Sequence, residues 1–342
     1  MKVPHKTIEQ LIIHNSDTAV KPIVGNKEIE RIHDPPLNTQ HLQFTPWTSD
    51  EVIEKINTAE IESHLSDVYT SIASNTTINE KISTLQYFES IIVNSNVSNS
   101  LINSAFMALL KKMLEQIKSP MIKIRVCSVV GLLIRHSTII DNELAEIDIA
   151  SQLIETLRDS NEKVRRRAIA ALGEYMFYAA TQLDDEMADP VWELSDDAID
   201  IIVQSLDAQE PDNIVRFYAC KTLENICAQS TSAGHRFATP STVQHVLNIF
   251  LMEKEEPHMG TGRLASALGG HSFSDDPEAD QPQDQPSQSY LQWFEGIKIS
   301  AAIALSHICK LNPQLFPVIF ETITPTRFCE TLLHGNGQYR VQ

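Results

Sequence analysis

The fold is decided by the stretch DSNEKVRRRAIAALGEY, which spans residues 159–175. Within it, Val164, Ala168, Ala171 and Leu172 stand at positions i, i+4, i+7 and i+8, which share one face of an α-helix. A β-branched residue leads this pattern, small residues fill its middle, and leucine closes it. Since the distance between packed helices depends on the side chains at their contact, the small residues predict a helix packed closely against its neighbours.

The same pattern occurs four times, which indicates an array of similar helical units. The predicted repeat-core residues are Ile124 and Leu132 in the first copy, Val164, Ala168 and Leu172 in the second, Val215, Ala219 and Leu223 in the third, and Ile297, Ala301 and Leu305 in the fourth. A cation follows each lead residue, and these cations are Arg125, Arg165, Arg216 and Lys298. An apolar partner segment follows each of the first three copies, so the predicted unit contains two helices.

The spacing of the units identifies the type of array. The lead cations are 40, 51 and 82 residues apart, and the first two spacings lie near the period of HEAT and armadillo units. The last gap contains residues 255–290, which are rich in Pro, Gln, Ser, Gly and Asp and have no periodic apolar face. We therefore predict an all-α fold, an armadillo/HEAT-type α-solenoid with an extended N-terminal arm and one disordered insert.

These patterns divide the chain into four parts. Residues 1–46 contain five prolines and are predicted to form an extended arm. Helical repeats are predicted over 47–254, an acidic disordered insert over 255–290, and further repeats over 291–342. Because no polar capping helix is evident at the C-terminal end, we expect the array to continue beyond residue 342.

Composition restricts the class of protein. The 342 residues carry a formal net charge of −18, which disfavours nonspecific binding to nucleic acid because that depends on neutralising phosphates. No apolar run is long enough to cross a membrane, and the N-terminus lacks the apolar core of a signal peptide. The five cysteines form no C-x-x-C pair and are expected to be free thiols. We expect an intracellular protein that binds neither nucleic acid nor membrane.

Sequence signatures of nucleotide-binding, kinase and metal sites are absent from the chain or lack the secondary structure that they require around them. Gly260 and Gly262 begin a G-x-G-x-x-A match, but a dinucleotide loop requires a preceding strand and a following helix. The chain has no phosphate-binding G-x-x-x-x-G-K-[ST] loop, and it has neither of the kinase signatures H-R-D and D-F-G. The histidines are scattered without metal-binding spacing. We therefore predict no catalytic residue, no cofactor, no metal and no small-molecule ligand.

Two charged clusters are candidates for binding a protein partner. One is the pair Arg166 and Arg167, which we expect to face outward, and the other is the acidic stretch that begins with Asp184, Asp185 and Glu186. The alternative is a solvated loop together with hydrogen bonds inside the array. Arg165 is assigned to the fold, because a cation recurs at its position in every copy.

Several stretches resemble one family. They are His14-Asn-Ser-Asp-Thr-Ala-Val-Lys-Pro-Ile-Val24, Gly131-Leu-Leu-Ile-Arg-His-Ser137, Leu172-Gly-Glu-Tyr-Met-Phe-Tyr-Ala-Ala-Thr-Gln182 and Glu224-Asn-Ile-Cys227. In order and spacing they resemble the armadillo-repeat region of the fourth Unc-51-like kinase, in the Fused/Runkel-related family of kinases and pseudokinases. The resemblance runs from about residue 10 to the end, apart from the insert. Its kinase-domain residues cannot be carried over, because this sequence begins where that domain would end.

The resemblance implies a setting and a class of partner. It implies a non-catalytic scaffold for protein–protein interaction in a ciliary or flagellar axoneme, including its central apparatus, or in another microtubule assembly. The expected partners are axonemal or microtubule-associated proteins, among them a Fused-type kinase, and the expected location is the cytoplasm, in the cilium or cytoskeleton. Two alternatives stay open: a regulatory region of a serine/threonine kinase, and a generic armadillo trafficking adaptor.

Overall fold

The computed structural model describes residues 22–47, 57–74, 76–183, 190–253 and 288–334. Fifteen α-helices lie in these ranges, and no strand does. The helices are α1 Thr58–Ala73, α2 Ile78–Ile91, α3 Ser95–Ile102, α4 Phe106–Gln116, α5 Pro120–His136, α6 Glu143–Glu146, α7 Ile149–Thr156, α8 Glu162–Leu183, α9 Asp196–Gln204, α10 Asn213–Gln229, α11 Thr231–Phe237, α12 Pro240–Phe250, α13 Gln288–Leu311, α14 Phe316–Thr322 and α15 Pro325–His334.

Local sequence explains where several helices begin. Thr77 and Glu80 form a capping box at the start of α2, in which each side chain accepts a hydrogen bond from the other residue's backbone N–H. Pro120 and Pro240 occupy the first turn of α5 and α12, where a missing N–H costs nothing. The side chain of Asp212 caps α10 by accepting from the backbone N–H of Ile214.

The helices pack in two layers. One layer contains the long helices α2, α5, α8, α10 and α13, each in contact with the next. The other contains α4, α7, α9, α12 and α14, again in succession, and α7, α9 and α12 also pack on long helices of the first layer. One continuous apolar core runs between the layers. This arrangement confirms the predicted all-α solenoid.

The repeat-core residues lie in this core in three of the four copies. Val164, Ala168 and Leu172 are buried in α8, and their counterparts Val215, Ala219, Leu223, Ile297, Ala301 and Leu305 are buried in α10 and α13. The predicted register of the first copy is wrong, because Ile124 and Leu132 are only partly buried. The residues of α5 that fill the corresponding positions are Ile122, Val126, Val129 and Val130, each 42 residues before its counterpart in α8.

The part of the arm that the structure describes, residues 22–47, has almost no regular secondary structure. Its one helical segment is a single 3₁₀ turn at Thr39–His41. We use the name arm for residues 22–47 from here on. Most of the predicted insert lies outside the described residues, with Gly260 and Gly262; its last three residues belong to α13. None of the described helices has the length and apolar character needed to span a membrane.

Candidate functional site: the helix face that holds the arm

The arm is anchored by its first residues on the long-helix layer. Ile23, Val24 and Ile29 are buried in the common core. The backbone N–H groups of Ile23 and Val24 both donate to Oε1 of Glu174 in α8, at 2.8 and 2.9 Å. Because these bonds use backbone groups, Glu174 fixes the path of the chain at this point whatever side chains it carries. We call the helix surface around Glu174, Arg167 and Arg125 the arm face.

The buried carboxylate of Glu174 is contacted both by the arm and by α5. Its Oε1 lies 3.3 Å from Nη1 of Arg135 in α5, in addition to the two N–H donors from the arm. Burial raises the pKa of Glu174, although Arg135 and the arm N–H groups oppose this shift. A buried carboxylate is tolerated only when it is paired and hydrogen-bonded, and here the arm supplies two of the three bonds.

Two glycines make room for the arm. A Cβ on Gly131 in α5 would lie 3.1 Å from Cγ2 of Val24, and one on Gly173 in α8 would lie 3.1 Å from Ile23 and 2.3 Å from Oγ1 of Thr222. These glycines are 42 residues apart, which agrees with the corrected register of the first copy. Side chains at either position would hold the arm away from the helices.

A tight turn then directs the next part of the arm back to α8. Gly25 adopts a positive φ of 68°, a conformation that glycine reaches without steric cost. The side chain of Asn26 donates to the carbonyl of Pro22 and accepts from the N–H of Glu28. This turn brings Glu30 to the N-terminal end of α8.

Glu30 forms ion pairs with both candidate arginines. Its carboxylate lies 2.6 Å from Nη1 of Arg167 and 3.6 Å from Nη1 of Arg166. Arg166 also donates through Nε to Asp212, at 2.7 Å. Burial lowers the pKa of Arg167, but Glu30 and the other charges nearby outweigh this, so that its net pKa is raised.

The expectation that Arg166 and Arg167 face outward is therefore wrong. Both side chains are buried, at 5 % and 6 % exposure. They are covered because the arm and the start of α10 pack over the first turns of α8. Neither contact is visible in the local sequence, since Glu30 lies 137 residues from Arg167.

A second ion-pair group holds the middle of the arm. Asp34 accepts two hydrogen bonds from the guanidinium of Arg125 in α5, at 2.9 and 2.7 Å, and Arg125 also pairs with Glu89 of α2 at 2.7 Å. Two parallel bonds between a guanidinium and a carboxylate form a strong and directional contact. Burial raises the pKa of Glu89 to about 7, although Arg125 opposes this shift.

The last part of the arm crosses α2 with weaker contacts. Gln43 donates to Glu80, and the N–H of Trp47 donates to the hydroxyl of Tyr87 at 3.0 Å. The ring of Trp47 stacks on His64 of α1. Most residues between Arg31 and Trp47 are exposed or only partly buried, so this part of the arm lies over the surface of the array.

The lead cations behave differently from one another. Arg165 donates to the carbonyls of Asp159 and Ser160 in the preceding turn, as expected of a residue that belongs to the fold. Lys298 donates to the carbonyl of Met252, and Arg216 bonds within its own helix to Asn213. Arg125 alone among the four pairs with the arm in the contacts described above, because the first copy is displaced in register by two residues.

The acidic candidates for partner binding fall in a part of the chain that the structure does not describe. Asp184, Asp185 and Glu186 lie outside the described residues. No group of three or more potential metal ligands occurs in the described ranges. Cys127, Cys220, Cys227 and Cys309 are buried free thiols, and Cys329 is an exposed one.

Sequence reasoning missed Glu174, Arg135, Glu30 and Asp34. A signal for Glu174 was present, since it is the only charged residue between Arg167 and the end of α8, on a helix that is otherwise apolar there. A lone charge in such a segment is expected to be paired. Its partner could not be read from the sequence, because both the arm and α5 are distant along the chain.

Two curated proteins share sequence with this chain. The serine/threonine-protein kinase RUNKEL of Arabidopsis thaliana is 31% identical over 250 residues, which are 69% of this chain and 18% of RUNKEL. The serine/threonine-protein kinase ULK4 of Mus musculus is 21% identical over 238 residues, 68% of this chain and 18% of ULK4. This chain is homologous to one region of RUNKEL and ULK4. The resemblance to the Fused/Runkel-related family is thereby confirmed.

The extent of the match limits what it shows. This chain spans 18% of the length of RUNKEL and of ULK4, and neither H-R-D nor D-F-G occurs in it, which is consistent with a match to a non-kinase region of these proteins. No known family model matches the chain. The crystal structure of an engineered protein has a TM-score of 0.51 and 11% identity, covering 83% of this chain and 93% of that protein. That likeness supports the fold alone.

Proposed function

We propose that this chain is a non-catalytic helical-repeat scaffold that binds other proteins in a ciliary or microtubule assembly. The observation that carries the proposal is the arm face, where the array binds an irregular segment of the chain through Glu174, Arg167 and Arg125. A surface that recognises an irregular segment through its backbone and its carboxylates is suited to protein binding. The ciliary or microtubule setting rests on the family resemblance.

A second candidate is a regulatory region that acts on a serine/threonine kinase. It is favoured by homology to two proteins named as serine/threonine kinases. In this alternative, the arm, which is attached to α8 at Ile23 and Val24, provides the surface on which a kinase domain is regulated.

The setting is tested by fractionation. The tagged full chain, expressed in ciliated cells, is expected to remain with the detergent-extracted axoneme and to sediment with microtubules. The control is an unrelated helical-repeat protein of similar size with the same tag. Recovery of the chain only in the detergent-soluble fraction, together with a change in the activity of an associated kinase, would support the regulatory alternative instead.

A further inference from the structure

We infer that the arm face is an exchangeable peptide site, in which the arm is a built-in occupant and a segment of a partner protein that follows the same path can take its place. The partner segment has the chemistry of the arm. It carries two adjacent apolar residues with free backbone N–H groups, a carboxylate about six residues later, and a second carboxylate four residues after that. These positions correspond to Ile23 and Val24, Glu30 and Asp34. This inference rests on the proposed scaffold function.

Three of the four charged groups that bind the arm also have a charged partner inside the array. Glu174 is paired with Arg135, Arg166 with Asp212, and Arg125 with Glu89. Breaking a buried pair is costly mainly because a charge is left without any partner. When the arm leaves, these three groups keep a partner from elsewhere in the array, whereas Arg167 loses its ion pair with Glu30. The array therefore holds three of the four groups without the arm, and a carboxylate of the incoming segment is needed to pair the fourth.

Burial of the arm is confined to a short anchor. Ile23, Val24, Asn26 and Ile29 are buried, whereas residues 31–36 are exposed. Asp34 remains 44% exposed even though it makes two bonds to Arg125. A competing segment can therefore displace the exposed middle of the arm at Arg125 first, and then reach Arg167 and Glu174.

The covalent link explains why the arm occupies the site by default. A short tether gives a bound segment an effective concentration on the order of millimolar. A partner must therefore bind more tightly than the arm, or be held nearby by other contacts. The need for backbone N–H donors at Glu174 makes the partner a polypeptide, and the arginines select carboxylates.

The test uses the full chain with a protease site introduced between residues 48 and 56. After cleavage the arm is no longer tethered, and a fluorescent peptide of residues 22–36 is added. We expect weak anisotropy change with the uncleaved chain and saturable binding with the cleaved chain, tightened at least tenfold. Unlabelled peptide competes for the same site. If the cleaved arm stays in place and the peptide never enters, the arm is a permanent part of the core and the inference is wrong.

A charge swap assigns the binding to the arm face. Arg167→Glu in the cleaved chain is expected to weaken the peptide by at least tenfold, and a peptide carrying Glu30→Arg is expected to restore most of the loss. The matched control is Arg158→Glu, because Arg158 is exposed and its partner is Glu155 on α7. If all combinations of chain and peptide had the same affinity, the peptide would bind outside the arm face, and the inference would be wrong.

A measurement on the unmodified chain tests the exchange without relying on variants, which could misfold. An excess of heavy-isotope peptide is expected to accelerate hydrogen exchange at the chain's own Ile23 and Val24, while the amides of α8 stay protected. Unchanged exchange at saturating peptide would contradict exchange of the arm. If the peptide does not displace the arm, the arm-exchange inference fails, but the fractionation experiment still tests the proposed setting. If the peptide displaces the arm but the chain associates with neither axonemes nor microtubules, only the proposed setting fails.

Discussion

Helix α8 has two faces that are buried for different reasons. Its core face carries Val164, Ala168 and Leu172, and the same pattern recurs in α10 and α13. Its arm face carries Arg167 and Glu174, which recur only in part. In the corrected register, Arg167 has the counterparts Arg125 in α5 and Tyr218 in α10, whereas Glu174 has the counterparts Leu132 and Asn225. The core pattern recurs along the array, whereas the arm-binding arginines are confined to α5 and α8 and the arm-binding glutamate to α8.

The two faces also differ in how they are stabilised. The core face is apolar, so its contribution depends on the area removed from water and on close packing. The arm face buries charges, so its contribution depends on whether each charge keeps a partner. A substitution on the core face is therefore expected to weaken the whole array, and one on the arm face to act first on the arm.

The largest effect is expected on the core face. Leu172→Asp places a carboxylate at a fully buried position in the apolar core, and we expect it to lower the free energy of unfolding by more than about 4 kcal/mol. Chemical denaturation followed by circular dichroism measures the change. The control is Val93→Asp at an exposed position, where a change within about 0.5 kcal/mol is expected.

An unchanged unfolding curve for Leu172→Asp would mean that the face assigned to the core is not buried. In that case the comparison between the two faces of α8 would fail, along with the repeat register.

The core face could be predicted from the sequence because its information is local and repeated. Small residues and leucine recur at fixed spacing, so helix positions follow from periodicity. The displacement of the first copy could not be predicted. More than one face of α5 is apolar: Ile122 and Val126 lie on one face and Ile124 on another. The packing of α5 against α2, α3, α4 and α8 decides which of these faces is buried, and the local sequence does not reveal it.

The arm face could not be predicted because its partners are far apart in sequence. Nothing near Arg167 indicates that Glu30 will cover it, and an arginine next to Arg165 at the start of a helix is more often solvated. Gly131 and Gly173 are each approached by the next long helix and also by the arm, and only the first of these contacts follows from the repeat. Long-range docking of an irregular segment leaves no periodic signal.

A smaller and more local effect is expected at Glu174. Glu174→Leu leaves Arg135 buried without its carboxylate and removes the acceptor of two arm N–H groups, which is expected to cost about 3–5 kcal/mol. Glu174→Gln keeps a neutral acceptor and is expected to cost about half as much. Hydrogen exchange should show faster exchange at Ile23 and Val24 in both variants, before the helices lose protection.

The control for Glu174 is an exposed ion pair. Glu155→Gln removes the surface partner of Arg158 and is expected to change stability by less than about 1 kcal/mol. If Glu174→Leu instead exposed the whole array to exchange at once, the arm and the core would be one cooperative unit, and the two faces of α8 would not be separable.

The smallest effect is a pH dependence that belongs to the arm face. Burial raises the pKa of Glu89 to about 7 from its ordinary value of 4.5. Between these two pH values the unfolded chain releases the proton of Glu89 while the folded chain retains it, so rising pH favours unfolding. The stability contributed by this group is fully present below about pH 4.5 and is lost as the pH rises through 7.

Glu89→Gln isolates this contribution, because glutamine does not titrate. The free energy of unfolding of the parent chain, minus that of Glu89→Gln, is expected to fall between pH 4.5 and 7 by at most about 3 kcal/mol. Groups elsewhere titrate in both proteins and cancel in the difference. A difference that rises with pH would mean that Arg125 stabilises the Glu89 carboxylate more than burial destabilises it. The pair would then hold Arg125 in place for Asp34 even more firmly near neutral pH, and the arm face would strengthen rather than weaken as the pH rises.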